Sequence, residues 1–248
     1  MPTRFSIPAS DFKTLIAKTQ FAMASDETRY YLNGIFLHAT TDNSQFVLRA
    51  VATDGHRLAR VQVPAPAGVD RMPPAIFPRK AALETLKLLD GVDAAVQIEL
   101  STAKIRLTIG PIVLTSKLVD GAFPDYARVI PRDNHKHLFV SRDEFRRAVD
   151  RVSTISTERA RAVTLHLSAD QLAFSVTNPD QGTAKEQIDA EYHAEPLDIG
   201  FNARYLIDLA DNIDGDTLSI LFNDAGSPTI IQDHANATAL FILMPLKV

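Results

Sequence analysis

No cysteine occurs among the 248 residues, which excludes disulfides and thiolate metal sites and fits a reducing compartment. Glycine is sparse: there are ten, and none are arranged as a phosphate-cradling loop, so nucleotide binding is not expected. No apolar run approaches the length of a bilayer span, and Met1-Pro2-Thr3-Arg4-Phe5 lacks the apolar segment of an export signal. Positive charge is also short, with 26 Lys and Arg against 30 Asp and Glu, and the net charge of −4 taken alone argues against nucleic acid. These absences predict a soluble, cytoplasmic protein. What is present is an ordinary apolar fraction, 46%, on a chain long enough for about two domains.

The chain says much the same thing twice. Ser10 is placed to cap a helix with Phe12, Leu15, Ile16 and Thr19 on one face. Ser141 caps another, with Phe145, Ala148, Val149 and Val152 at the same spacing and Glu144 completing a capping box. A second pair of helices opens at Phe77 and Phe201 and closes at Asp90-Gly91 and Asp214-Gly215, with both glycines expected just past the helix ends. Strands are predicted over residues 35–40, 45–52 and 57–63, then 95–100, 104–109 and 112–118. The second half repeats this at 162–167, 171–177 and 183–192, then at 217–222, 229–233 and 239–244. Short connections imply antiparallel sheets, each with one face covered by helices, in an α+β fold. The two halves meet near Tyr126, giving domains over 1–126 and 127–248. Between them, Asp120-Gly121-Ala122-Phe123-Pro124-Asp125-Tyr126 and the following residues to Pro131 read as an extended connector. Its apolar Phe123, Tyr126, Val129 and Ile130 are expected to pack against both flanks.

Charge is uneven along the chain. The segments 10–22, 79–89, 142–152 and 203–213 together carry +3, which leaves −7 elsewhere. Mildly basic helices on an acidic protein suit a surface that meets phosphate on one side, although charged residues also occupy any solvated helix face. Asp54-Gly55-His56 could serve as an acid/base pair, but Asp-Gly is a common turn between strands. Asp208, Asp211, Asp214 and Asp216 do not match a calcium loop, and His135-x-His137 lacks a third ligand nearby.

Five stretches share a single resemblance: Arg29-Tyr30-Tyr31-Leu32-Asn33-Gly34, Ala52-Thr53-Asp54-Gly55-His56-Arg57-Leu58, Pro78-Arg79-Lys80, Leu118-Val119-Asp120-Gly121 and Phe123-Pro124-Asp125-Tyr126. In this order they resemble the bacterial sliding clamp, the beta subunit and processivity factor of DNA polymerase III. The resemblance runs to the terminal Met244-Pro245-Leu246-Lys247-Val248 and covers the second and third domains of a three-domain family, with the N-terminal domain absent. It implies duplicated DNA-clamp domains, each with antiparallel sheets and two helices on one face, and no catalytic residue, metal or cofactor.

The same resemblance implies a homodimeric ring around double-stranded DNA, touching phosphates without reading sequence. Arg79, Lys80, Arg146 and Arg147 would touch the backbone, and Tyr30 and Tyr31 would stack near emerging single strands. Partners would be DNA polymerase III alpha, other polymerases, the clamp loader and repair proteins, each docking a short linear motif. The implied pocket residues are Leu32, Thr53, Gly55, His56, Arg57, Leu58, Pro124, Arg128, Val129, Asn202, Tyr205, Ile242, Leu243, Met244, Pro245 and Leu246. In that pocket Met244 would adapt to varied side chains, and Arg57, Arg128 and Asn202 would fix a peptide backbone or a Gln. Ala160, Gly226 and Pro228 depart from common family residues and would widen the rim. A two-domain clamp that trimerises, as in eukaryotic and archaeal rings, is the rival reading, and the bacterial motifs argue against it.

Overall fold

A computed structural model describes residues 3–156, 162–236 and 238–247. It divides into two units, Met1–Pro124 and Asp125–Val248.

The first unit opens with β1 (Thr3–Ile7) and α1 (Ala9–Ala17), then the antiparallel meander β2 (Gly34–Asp42), β3 (Gln45–Thr53) and β4 (Arg57–Pro64). The pattern repeats as β5 (Ala75–Pro78), α2 (Arg79–Leu88), β6 (Val96–Leu100), β7 (Lys104–Ile109) and β8 (Ile112–Lys117). The opening strands trade places. β1 pairs antiparallel with β6 and so joins the second meander, while β5 pairs with β2 and joins the first. Neither half can complete its sheet without the other, so the duplication yields one folding unit.

The second unit follows the same plan. β9 (Lys136–Ser141) leads into α3 (Arg142–Ser153), β10 (Ala162–Ser168), β11 (Gln171–Asn178) and β12 (Gly182–Asp189), with β13 (Glu191–Tyr192) appended. β14 (Leu197–Asn202), α4 (Ala203–Asp211), β15 (Thr217–Phe222), β16 (Thr229–Asp233) and β17 (Ala239–Leu243) make the repeat. Again β9 pairs with β15 and β14 with β10.

In each unit the two helices pack together, α1 on α2 and α3 on α4. No helix among the described residues is long and apolar enough to cross a membrane. The four repeat phenylalanines, Phe12, Phe77, Phe145 and Phe201, are all buried at the helix–sheet junctions. Phe12 stacks on Phe77 at 6.3 Å, and Phe145 meets Phe174 edge-on at 5.6 Å. The fold is α+β with antiparallel sheets, as the sequence indicates, and the structure corrects several details. Each helix is preceded by a strand that the apolar periodicity does not reveal; Phe77 and Phe201 belong to such strands rather than opening the helices. Pro8, not Ser10, is the N-cap of α1, because the Pro8 carbonyl already accepts the Phe12 N–H at 3.1 Å. That helix stops at Ala17, and a separate 3₁₀ turn, Gln20–Ala22, follows.

At α3 the Ser141 hydroxyl does accept from the Glu144 N–H. Gly91 has the positive φ (69°) expected beyond α2. Gly215 does not, and its small size is needed for another reason: an added Cβ would lie 2.5 Å from the Asp233 carboxylate, which accepts the Gly215 N–H at 2.8 Å. The predicted strand 183–192 breaks in two, and its two pieces enter different sheets. The connector is not wholly extended, since Tyr126–Val129 forms a 3₁₀ turn. Its Phe123 lies flat on Phe36, ring centres 4.8 Å apart, whereas Val129 is exposed.

Candidate functional site

The loop between β3 and β4 is built from hydrogen bonds made by its own side chains. Asp54 accepts the N–H groups of His56 (2.9 Å) and Arg57 (3.0 Å), and its second oxygen accepts Arg57 Nε at 3.1 Å. Thr53 Oγ1 donates to the Arg57 carbonyl and accepts the Gly55 N–H. Gly55 has φ of 89°, where an L side chain is strained, and an added Cβ would meet Arg29 Nη1 at 2.8 Å. That same nitrogen donates to the Asp54 carbonyl at 2.8 Å. The Asp54 carboxylate is thus committed to shaping a turn. Arg57 is equally engaged: Nη2 donates to the Phe21 carbonyl at 2.7 Å, and the guanidinium sits over the Phe21 ring at 5.2 Å. Leu32 and Leu58 are buried, and His56 is exposed.

The segment 29–34 is held from several directions. Asp26 accepts the Thr28 N–H, and the Asn33 carbonyl accepts the Arg79 N–H at 3.1 Å. At Gly34 an added Cβ would lie 2.5 Å from the Phe77 carbonyl oxygen, so only glycine lets β2 approach β5 this closely. Gly121 packs beneath Tyr30 and Tyr31, whose rings meet edge-on at 5.8 Å, and Tyr30 is 54% exposed. Arg79 turns its Nη1 toward the carbonyls of Met23 (3.3 Å) and Ala24 (3.4 Å), while neighbouring Lys80 is exposed.

In the second unit, Asn202 is the N-cap of α4, its side-chain oxygen accepting the Arg204 N–H at 3.0 Å. Two residues before it on β14, the Gly200 carbonyl accepts the Leu246 N–H at 2.8 Å, which lays the C-terminal segment along this strand. Ile242 and Leu243 are buried, Met244 is 39% exposed, and Pro245, Leu246 and Tyr205 are half-buried. The unit therefore brings Asn202 and residues 244–246 to the β14 strand. Arg128 is exposed and pairs with Asp125 at 2.9 Å. The Gly226 N–H is accepted by Asp224, and the Pro228 carbonyl accepts from Asn134. Ala160 lies outside the described residues. On α3, Arg146 pairs with Asp211 and Arg147 Nε donates to the Asp143 carbonyl.

One constellation has no sequence signal. Ser175, His166 and Asp198 stand side by side on neighbouring strands, with His166 Nε2 2.7 Å from Ser175 Oγ and Nδ1 2.8 Å from Asp198 Oδ1. β10 and β11 are both paired on either side, so their backbone N–H groups are spent in the ladders and none is left to hold an oxyanion at Ser175. The trio is a cross-strand polar ladder. No group of three or more His, Asp or Glu among the described residues is arranged to hold a metal ion.

Residues 6–125 match the central-domain model of the DNA polymerase III beta subunit, and residues 127–247 match its C-terminal-domain model. The beta sliding clamp of Caulobacter vibrioides is 44% identical over the whole chain, which covers 67% of that protein. The chain belongs to the beta sliding clamp family. The Escherichia coli K12 beta sliding clamp is 37% identical over 98% of the chain, which covers 65% of that protein. A sliding clamp crystal structure from Bartonella birtlesii, bound to griselimycin, is 53% identical with a TM-score of 0.96, and the match covers 99% of this chain and 66% of that one. A Caulobacter crescentus clamp structure gives 44% identity and a TM-score of 0.96, covering 99% of this chain and 65% of that one. The chain thus spans about two thirds of the length of these clamps.

Proposed function

We propose that this chain acts as a DNA sliding clamp: a non-catalytic processivity factor that, in a homodimeric ring, surrounds duplex DNA and docks partner peptides. The observation that carries the reading is likeness to beta sliding clamps along essentially the whole chain. The paired helices would face the phosphates, with Lys80, Arg79, Arg146 and Arg147 as their cations and Tyr30 and Tyr31 beside single-stranded DNA. Retention by a ring needs no tight contact, so sparse and sequence-blind phosphate contacts suffice.

Peptide docking is assigned to two sets of residues. The first unit supplies Leu32, Thr53, Gly55, His56, Arg57, Leu58 and Pro124. The second supplies Arg128, Val129, Asn202, Tyr205, Ile242, Leu243, Met244, Pro245 and Leu246. Chemistry supports the second set in particular: the exposed Met244, which follows buried Ile242 and Leu243 in the chain, carries a flexible thioether side chain that can repack around varied apolar side chains. The Asn202 amide keeps its N–H₂ donors for a peptide carbonyl or a Gln while its oxygen caps α4. DNA polymerase III alpha, other polymerases, the clamp loader and repair proteins are the proposed sources of such peptides.

Calorimetric titration with a short peptide carrying a Gln anchor and a Leu–Phe end tests this. Binding of about micromolar strength, roughly −8 kcal/mol, is expected, because a small buried area must also offset ordering of the peptide. Met244→Ala should weaken it several-fold, and removal of residues 244–248 about ten-fold or more. No heat from folded protein, or affinity indifferent to both changes, would remove peptide docking from the chain.

A further inference from the structure

The α3 helix carries four arginines, Arg142, Arg146, Arg147 and Arg151, yet each is already engaged within the second unit. Arg142 donates to the Asp143 carboxylate (3.0 and 3.1 Å) and to the Ile213 carbonyl at 2.9 Å. Arg147 donates to the Asp143 carbonyl at 3.1 Å. The other two reach carboxylates on different elements. Arg146 Nε meets Asp211 of α4 at 2.6 Å, and Arg151 grips both oxygens of Glu186 on β12, with Nε to Oε2 at 2.9 Å.

We propose that Asp211 and Glu186 are built-in competitors of DNA phosphate, holding Arg146 and Arg151 in a weakly gripping state. This rests on the DNA reading above. The placement of Glu186 favours a fixed pairing over an incidental one. Glu186 follows Lys185 and precedes Gln187 on β12; alternation turns those two outward and sends the Glu186 side chain to the face on which α3 packs. Its side chain is 22% exposed although its partner is 58% exposed, so the carboxylate is the fixed member and the arginine the movable one. The Arg151 guanidinium holds the Glu186 carboxyl below its ordinary range, and the hydrogen bond to Asp211 raises Arg146 further above its own.

A phosphate approaching either arginine must displace a carboxylate of the same sign, which then remains beside it and repels it. Each contact therefore yields little net affinity, while the arginine is still present to screen the duplex as it passes. The four arginines share this neighbourhood with Asp143, Glu144, Asp150, Glu186 and Asp211, so the surface carries little net charge although it is rich in cations.

The test is duplex binding by fluorescence anisotropy across a salt series, with Asp211→Asn, Glu186→Gln and, as control, Asp150→Asn. Asp150 lies on α3 between the arginines, near enough to act on both through charge alone. Asp211→Asn and Glu186→Gln should each tighten binding about three- to ten-fold and steepen the log–log salt slope by about one. Asp150→Asn should tighten it by about two-fold or less with the slope unchanged. In Arg146→Gln and Arg151→Gln backgrounds the corresponding gains should vanish. A gain no larger than the control's, or one that survives loss of the arginine, would overturn the proposal while leaving the DNA reading intact. Absence of salt-dependent duplex binding in every variant, with melting curves showing folded protein, would overturn both.

Discussion

Gly34 has an ordinary φ, so no turn geometry explains it; the Phe77 carbonyl oxygen, 2.5 Å from where a Cβ would stand, does. Gly34→Ala must push β2 away from β5, and since the obstructing atom is backbone it cannot swing aside. A loss of about 1–3 kcal/mol in unfolding free energy is expected, read by urea denaturation. An unchanged midpoint would show that β5 is free to shift. The Arg29–Gly34 stretch is recognisable from sequence, but the reason for its glycine is not, because it depends on a strand that follows much later in the chain. The same limit applies to Arg57. Its long side chain could point outward or inward, and only the fold shows that Asp54 and the Phe21 carbonyl take up donors of its guanidinium.

Among elements, helices and meanders are legible because their apolar periods of about 3.6 and 2 are each sustained over several residues. The strands β1, β5, β9 and β14 are not, because each runs directly into a helix whose stronger signal absorbs it. The break between β12 and β13 escapes a sequence reading because no Gly or Pro marks it. It is made instead by Asp170, at φ of 58°, whose N–H donates to the Tyr192 carbonyl and whose carbonyl accepts the Ala190 N–H. Sheet faces also carry a titration. Across β2, β3 and β4, Arg49 donates to Gln62 (2.7 Å) and pairs with Asp42 (3.2 Å), while Gln62 donates to Asp42 at 2.8 Å. His38 sits opposite Arg49 in the ladder and stacks on Phe36 at 4.9 Å. Burial, aided by the Arg49 charge, pushes the His38 pKa down to about 4. Between the ordinary histidine value near 6.5 and about 4, the unfolded chain binds the proton more readily, so stability should fall as pH drops through that window. Asp42 is held below its ordinary 3.8, so its contribution is lost only at lower pH. His38→Gln should flatten the stability profile between pH 6.5 and about 4, measured by denaturant titration at successive pH values. An unaltered profile would assign the loss to other groups.

For the whole molecule, the net charge of −4 conceals what matters, which is where cations sit and what they already hold. The basic bias of the helices can be counted along the chain, but not that Arg79 faces two carbonyls or that Arg146 and Arg151 face carboxylates. Those partnerships join segments far apart in the chain and leave Lys80 as the more available cation of its pair. If the helices of each unit meet duplex DNA through phosphates alone, as proposed, the salt dependence of binding to two duplexes of equal length and unrelated sequence tests it most directly. Equal affinities and equal negative slopes are expected for both, with Lys80→Ala lowering the slope magnitude by about one on each. A marked preference for one sequence, or affinity that ignores salt, would contradict it.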